Sequence, residues 1–266
     1  MATLAIANDS GSVGKTTCVV SLAALLAEQG RRVRVIDLDQ QANASTNLGC
    51  SEPGLHVGDV LLRRKLERPG GGRHEPVSLE DAEVMTDVPG LTLIPGSRAL
   101  KADGIELSRQ PLSQLRLMHD LRAASPVDVT LIDCPGTVGV VTIGAIAAAD
   151  AVVTVTQPTL KEAGGIADLL ESIEAVAEEA NPKVRLAGII PNNVPPTGNV
   201  YRDTLNALAA EGSEYAPLLT PEVRRSVLVP ESYSHGVPLP VYAPREPVTQ
   251  DFRAVLAWFA AEGLLA

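Results

Sequence analysis

Residues 4–8 form an apolar run that stops at Asp9-Ser10-Gly11-Ser12-Val13-Gly14-Lys15-Thr16-Thr17, and a helical pattern starts at once. From 15 to 28, Val19, Ala23, Leu26 and Ala27 recur at helical spacing, and Gly30 follows as a C-cap. Residues 33–38 are a second apolar run that ends in acidic residues. A helix between two strands carries the chain back to the end of the sheet where it began, so the strands pair parallel. The alternation continues, with strands predicted at 91–94, 127–133, 151–155 and 184–190, and helices at 112–124, 162–180 and 248–263. This predicts one α/β domain over 1–266, a doubly wound, mostly parallel sheet with helices on both faces. Composition agrees. Hydrophobic residues make up 45% of the chain and aromatics only 3%, an aliphatic balance that suits a sheet buried on both sides. It excludes a disordered chain and a disulfide scaffold. Residues 65–78, with Pro69-Gly70-Gly71-Gly72, are expected to form a mobile surface loop.

Small residues between a strand and a helix let backbone N–H groups approach phosphate oxygens, and the helix N-terminus favours negative charge. In that setting Gly11, Ser12, Val13, Gly14, Lys15, Thr16 and Thr17 are expected to bind a nucleotide. Lys15 would reach the β- and γ-phosphates, and the Thr16 hydroxyl would ligate Mg²⁺. The ordinary phosphate-loop pattern requires Gly where this chain has Asp9. Two further acidic sites stand at strand ends. Asp37 and Asp39 leave the second strand two residues apart, in Asp37-Leu38-Asp39-Gln40-Gln41-Ala42-Asn43-Ala44-Ser45. Asp133 ends a buried strand in Leu131-Ile132-Asp133-Cys134-Pro135-Gly136, the position from which a carboxylate anchors a magnesium hydration shell.

The segment from Asn8 to Thr17 resembles the Asn-Gln-Lys-Gly-Gly-Val-Gly-Lys-Thr-Thr loop of the ParA/MinD family of deviant Walker A ATPases. The segment from Asp37 resembles its Asp-x-Asp-Pro-Gln-Gly-Asn-Ala-Ser, with Gln40 for Pro and Ala42 for Gly. The resemblance implies ATP and Mg²⁺ as cofactors. It implies that Asp37 holds a magnesium-bound water and that Asp39 orients the attacking water. Gly136 stands where the family usually has a second Pro, and Gly136 or Gly139 is expected to offer an N–H to the γ-phosphate. Guanine-specific relatives carry Asn-Lys-x-Asp; here Asn192-Asn193-Val194-Pro195 puts a proline in place of the Asp, which favours ATP, with Asn192 on the adenine edge. Pro221 resembles the segment lining the other face of the base.

The family's signature lysine, five residues before the loop lysine, is Ser10 here. Some ParA-like proteins of the McdA type also lack it. Lys161, in a loop that faces the dimer partner in the family, is the candidate cross-dimer cation. The resemblance implies a homodimer on ATP binding, non-specific DNA binding, a ParB-like or McdB-like cargo adaptor, and a cytoplasmic, nucleoid-associated protein. The function expected is positioning or segregation of a plasmid, chromosome or protein cargo. Arg224 and Arg225 are the first DNA-contact candidates, with Arg202, Arg245 and Arg253 as additions; the net charge of −10 confines any such contact to a local patch. An ATP-dependent ligase of the dethiobiotin synthetase kind is the alternative; it needs a small-molecule pocket with cations beside the γ-phosphate, and the sequence offers none. Cys18, Cys50 and Cys134 are the three cysteines and have no metal-ligand spacing, which argues against a cluster-bearing reductase and fits a reducing compartment. Phe252, Val255, Leu256 and Phe259 form an apolar stripe whose opposite face lacks a basic cluster, so the last helix is expected to dock on the sheet, not on a membrane.

Overall fold

The computed structural model describes residues 1–66, 75–157, 160–210 and 216–266, with backbone alone for 160–165, 199, 200 and 216. Its strands are β1 (Ala2–Ala7), β2 (Val33–Asp37), β3 (Lys65–Leu66), β4 (Glu75–Pro76), β5 (Val84–Met85), β6 (Leu91–Ile94), β7 (Val129–Asp133), β8 (Ala151–Thr156) and β9 (Leu186–Pro191). The helices are α1 (Lys15–Glu28), α2 (Asn43–Asn47), α3 (Val57–Leu61), α4 (Leu79–Ala82), α5 (Leu100–Ser108), α6 (Arg116–Ala123), α7 (Val140–Ala148), α8 (Leu160–Glu179), α9 (Asn199–Leu208), α10 (Leu228–Ser234), α11 (Leu239–Tyr242) and α12 (Pro247–Ala261).

Seven strands form one sheet in the order β5-β6-β2-β7-β1-β8-β9, and β3 pairs with β4 in a separate ribbon. Every pair in the large sheet is parallel except β5 with β6. Side chains alternate across a strand, and the core divides accordingly. On one face Leu4, Ile6, Val35, Leu131 and Val153 pack with Val19 and Leu22 of α1 and Phe252 and Phe259 of α12. On the other, Ala5, Ala7, Ile36, Ile132 and Val152 pack with Ala145 and Ile146 of α7 and Leu169 and Ile173 of α8. The chain leaves β1 toward β2 on one side and later crosses to β8 on the other. Their carboxyl ends therefore open on a common crevice, where such sheets bind ligands.

Several expected elements shift. Residues 65–78 are not loop throughout: Lys65 pairs with Pro76 and Leu66 with Glu75, while Ser78 caps α4; residues 67–74 lie outside the described chain. The predicted helix at 112–124 begins later, because Leu112 is left-handed at φ 57°; a 3₁₀ turn at Ser113–Leu115 precedes α6. The strand predicted from 127 starts at Val129, since the Asp128 carboxylate accepts from the Arg32 N–H at 2.8 Å. The α12 stripe is buried as expected, against α1 and the sheet: a Cβ on Gly188 of β9 would stand 3.2 Å from the Trp258 ring. No helix among the described residues is long and apolar enough to cross a membrane.

Candidate active site

The loop between β1 and α1 takes two left-handed residues, Ser12 at φ 63° and Gly14 at φ 99°. Gly14 is the N-cap of α1 and offers no side chain to cap it, so the first N–H groups of the helix stay available to a ligand. Glycine is required at 14: a Cβ there would stand 2.1 Å from the Asn192 side-chain nitrogen. Lys15 is buried, and its ammonium donates to the Ser10 carbonyl at 2.7 Å.

Parallel register brings the acidic residues together. Asp37 and Asp133 are partners on β2 and β7, and Asp133 sits beside Ile6 of β1. The Thr16 hydroxyl donates to Asp133 Oδ2 at 2.7 Å, so the first turn of α1 and the end of β7 meet. Asp133 Oδ1 is buried without a hydrogen-bond partner. Burial, reinforced by the charge of Asp37, holds the Asp133 carboxyl well above the ordinary carboxylate range. Burial likewise pushes Asp37 up to about 6, against hydrogen bonds that favour its charged form. Those bonds come from the Ser45 N–H and hydroxyl at 2.8 and 2.7 Å and from the Asp39 N–H at 3.1 Å. Two buried carboxyls side by side, with one unpartnered oxygen and only the charge of Lys15 acting on Asp133 against their repulsion, are a donor set that fits a hard cation. Among the described residues no group of three or more His, Cys, Asp and Glu is placed to hold a metal, so a cation here would draw on Thr16, phosphate oxygens and water.

Asp39 is half-buried, and its Oδ1 accepts from the Gln41 N–H at 2.9 Å, closing a turn on itself. Gly136, not Gly139, borders the phosphate loop: a Cβ at 136 would stand 3.0 Å from Gly11 Cα, while nothing lies within 4 Å at 139. The Val138 N–H donates to Asp9 Oδ1 at 3.2 Å and ties the β7 loop to the phosphate loop. The Cys18 and Cys134 thiols are fully buried and pushed up by it, which makes them inert packing residues.

A cavity of about 210 Å³ adjoins the phosphate loop, lined by Ser12, Gly14, Gln157, Asn192, Arg224 and Pro230 among others. Asn192 is thus at the expected place, but its Nδ2 donates to the Val13 carbonyl at 2.8 Å. Pro221 is exposed and outside the lining; the segment from Arg224 to Pro230 forms that wall instead. Pro195 lines a different cavity, of about 300 Å³. A further cavity of about 290 Å³ abuts both acidic-strand loops through Gln40 and Thr137, and Lys101 on α5 lines it, a cation beside the site that the sequence did not disclose. Ser45 and Gln157 were within view in the sequence; α5 and Asp251, which reach the site over long range, carried no local signal.

The arginines are mostly engaged. Arg224 makes a two-pronged pair with Asp251, at 2.6 and 2.8 Å, so its charge is spent within the chain. Arg253 pairs with Glu28 at 2.7 Å and Arg202 with Glu222 at 3.5 Å. Arg225 is exposed and its guanidinium donates to Asn193 Oδ1 at 3.2 Å; among the described residues neither it nor the exposed Arg245 has an ion pair. Lys161 lies in the first turn of α8, and its side chain is outside the described residues.

An AAA domain family matches residues 1–186. The chromosome partitioning protein ParA of Caulobacter vibrioides is 34% identical over 245 residues, covering 90% of this chain and 86% of that one. A structure of cobyrinic acid a,c-diamide synthase from Mycobacterium smegmatis, with an ATP analogue and magnesium, superposes with a TM-score of 0.81 at 27% identity, over 99% of this chain and 96% of that one. McdA of Cyanothece, in complex with ATP, gives 0.82 at 23% identity over 98% and 96% of the two chains, a likeness of fold. With the family match over residues 1–186 and a relative 34% identical over most of both chains, on a fold shared with these structures, the chain belongs to the family of ParA/MinD-type ATPases.

Proposed function

We propose that the chain binds Mg-ATP, dimerises around it, binds DNA without sequence preference in that state, and is stimulated by a cargo adaptor to hydrolyse ATP and let go. The observation that carries the reading is the Thr16–Asp133 contact beside an orphaned Asp133 oxygen, at the mouth of a lysine-containing loop. Bound magnesium would neutralise charge on the phosphates. Thr16 would ligate it, and Asp133 and Asp37 would hold its waters. Lys15 would turn from the Ser10 carbonyl to the β- and γ-phosphates. Asp39 would leave its own turn to orient the attacking water. Gly136 would offer its N–H to the γ-phosphate, and Asn192 and the segment past Pro221 would border the base.

Ser10 leaves two facing triphosphates without the family's cross-dimer charge, a costly arrangement in a poorly hydrated interface. Lys161 of the second copy would supply it. Arg225 and Arg245, the two of the five candidate arginines with no acidic partner among the described residues, would meet DNA phosphates. Sedimentation velocity of Asp39→Ala tests assembly: a dimer with Mg-ATP, a monomer with ADP, and loss of the dimer on adding Lys161→Ala are expected. An unchanged ATP dimer in the double variant eliminates Lys161.

One observation favours a second reading, a ligase acting on a small acid: the 290 Å³ cavity with Lys101 beside both loops, on a fold shared with the diamide synthase. ATP turnover that requires a small carboxylic acid, and ignores DNA, would select it.

A further inference from the structure

We infer that Gln157 and Asn192 are positioning residues that preform the phosphate cradle by holding its carbonyls outward. Gln157 Nε2 donates to the Ser12 carbonyl at 3.1 Å, and Asn192 Nδ2 donates to the Val13 carbonyl at 2.8 Å. In a trans peptide the C=O and the following N–H point in opposite directions, and the chain has no cis bond among the described residues. Fixing the Ser12 and Val13 carbonyls on the outside therefore aims the Val13 and Gly14 N–H groups at the opposite side, toward an anion in the loop. The loop needs such help. Ser12 holds φ 63° without being glycine, a conformation that costs energy unless the surroundings impose it.

Both amides stand on fixed ground. Gln157 follows β8 and Asn192 follows β9, and the Asn192 N–H donates to the Thr156 carbonyl at 2.8 Å, joining the two strand ends. Asn8, at the end of β1, donates to the Val155 carbonyl at 2.6 Å and so ties β8 to the strand that launches the loop. Asn192 is only 7% exposed, and its amide fills the space a side chain at Gly14 would take. One of its two amide N–H groups is held by the loop, and that bond, not any contact with adenine, carries this role. The inference rests on the phosphate-binding role of the loop and goes beyond it in saying what shapes the loop.

Asn192→Asp is the deciding variant. It swaps the donor for an oxygen that repels the Val13 carbonyl, yet keeps an acceptor for an adenine amino group. Titrating ATP, GTP and base-free tripolyphosphate into wild type, Asn192→Asp and Gln157→Ala, each with magnesium, is expected to show tenfold or greater weakening of all three ligands by Asn192→Asp. The ATP-to-GTP ratio should stay within twofold, and Gln157→Ala should weaken all three to a smaller degree. Hydrogen exchange of the Val13 and Gly14 amides should quicken in both variants while the α12 amides stay protected. Retained tripolyphosphate binding with a changed ATP-to-GTP ratio would overturn the inference in favour of base reading. Unchanged affinities and exchange would overturn it outright. Should Asn192→Asp fail to fold, the Gln157→Ala titration and exchange decide alone. Wild type that binds neither ATP nor tripolyphosphate would instead refute the phosphate-binding role itself.

Discussion

Lys15 and Asp39 should fail in different ways when truncated. On the proposed reading Lys15 would face the phosphates, so Lys15→Ala should abolish measurable ATP binding. Asp39, on the same reading, would act on water and not on the ground-state nucleotide, so Asp39→Ala should keep affinity and lose roughly 10²–10⁴ in turnover. The two adjacent arginines should also part company. Arg225→Ala should weaken duplex DNA binding about equally across sequences and lower the salt slope by about 1. Arg224→Ala should leave that slope alone and lower thermal stability, because it strands the Asp251 carboxylate that now accepts two guanidinium N–H groups. Lys15, Thr16, Asp37 and Asp133 were legible because each stands at a strand end or helix start that the apolar pattern marks. The Arg224–Asp251 pair was not, since 27 residues separate its members and no local pattern links them.

Two elements set the energetics of the site. β2 and β7 lie in register so that Asp37 and Asp133 stand side by side, both buried. Their folded carboxyls titrate above the ordinary range, Asp37 at about 6 against 3.8. The folded chain therefore holds protons that the unfolded chain has released, and this pair subtracts stability as pH rises through that window. In nucleotide-free, magnesium-free buffer, Asp133→Asn should gain stability on wild type as pH rises from the ordinary carboxylate value of 3.8 through the raised folded range. A difference that stays flat or reverses with pH would contradict it. On the opposite face, Phe252 of α12 is fully buried against α1 and the sheet, so Phe252→Ala should cost about 3–5 kcal/mol in a denaturant titration. The long strands and α1, α8 and α12 were readable from periodicity. The stretch from α3 to α5 was not, because helices of four to nine residues hold too few turns for a period to stand out, and the shortest are fixed by caps such as His56 and Ser78. α7 also escaped notice: its run of Val, Ile, Ala and Gly is apolar nearly all round, and its mates lie on β1 and on α5, α6 and α8 of the same face.

The assembled protein is acidic, at −10, and most of its described arginines near the carboxyl end are neutralised within the chain. DNA affinity should therefore be modest and only shallowly dependent on salt, resting on few phosphate contacts from each copy. The fold class followed from strand–loop–helix order, and the expected nucleotide loop from that order together with the Gly14-Lys15-Thr16-Thr17 segment and its resemblance. Partner and cargo leave no such trace, because they are read by surfaces that the core pattern does not constrain. Turnover of ATP by this loop and these carboxyls is tested most directly by phosphate release from Mg-ATP, followed in parallel for wild type, Lys15→Ala and Asp39→Ala. Slow, magnesium-dependent release by wild type and none by either variant, with ATP still bound by Asp39→Ala alone of the two, is the predicted result. Release that persists in Asp39→Ala at the wild-type rate, or a wild type that binds no ATP, would contradict it.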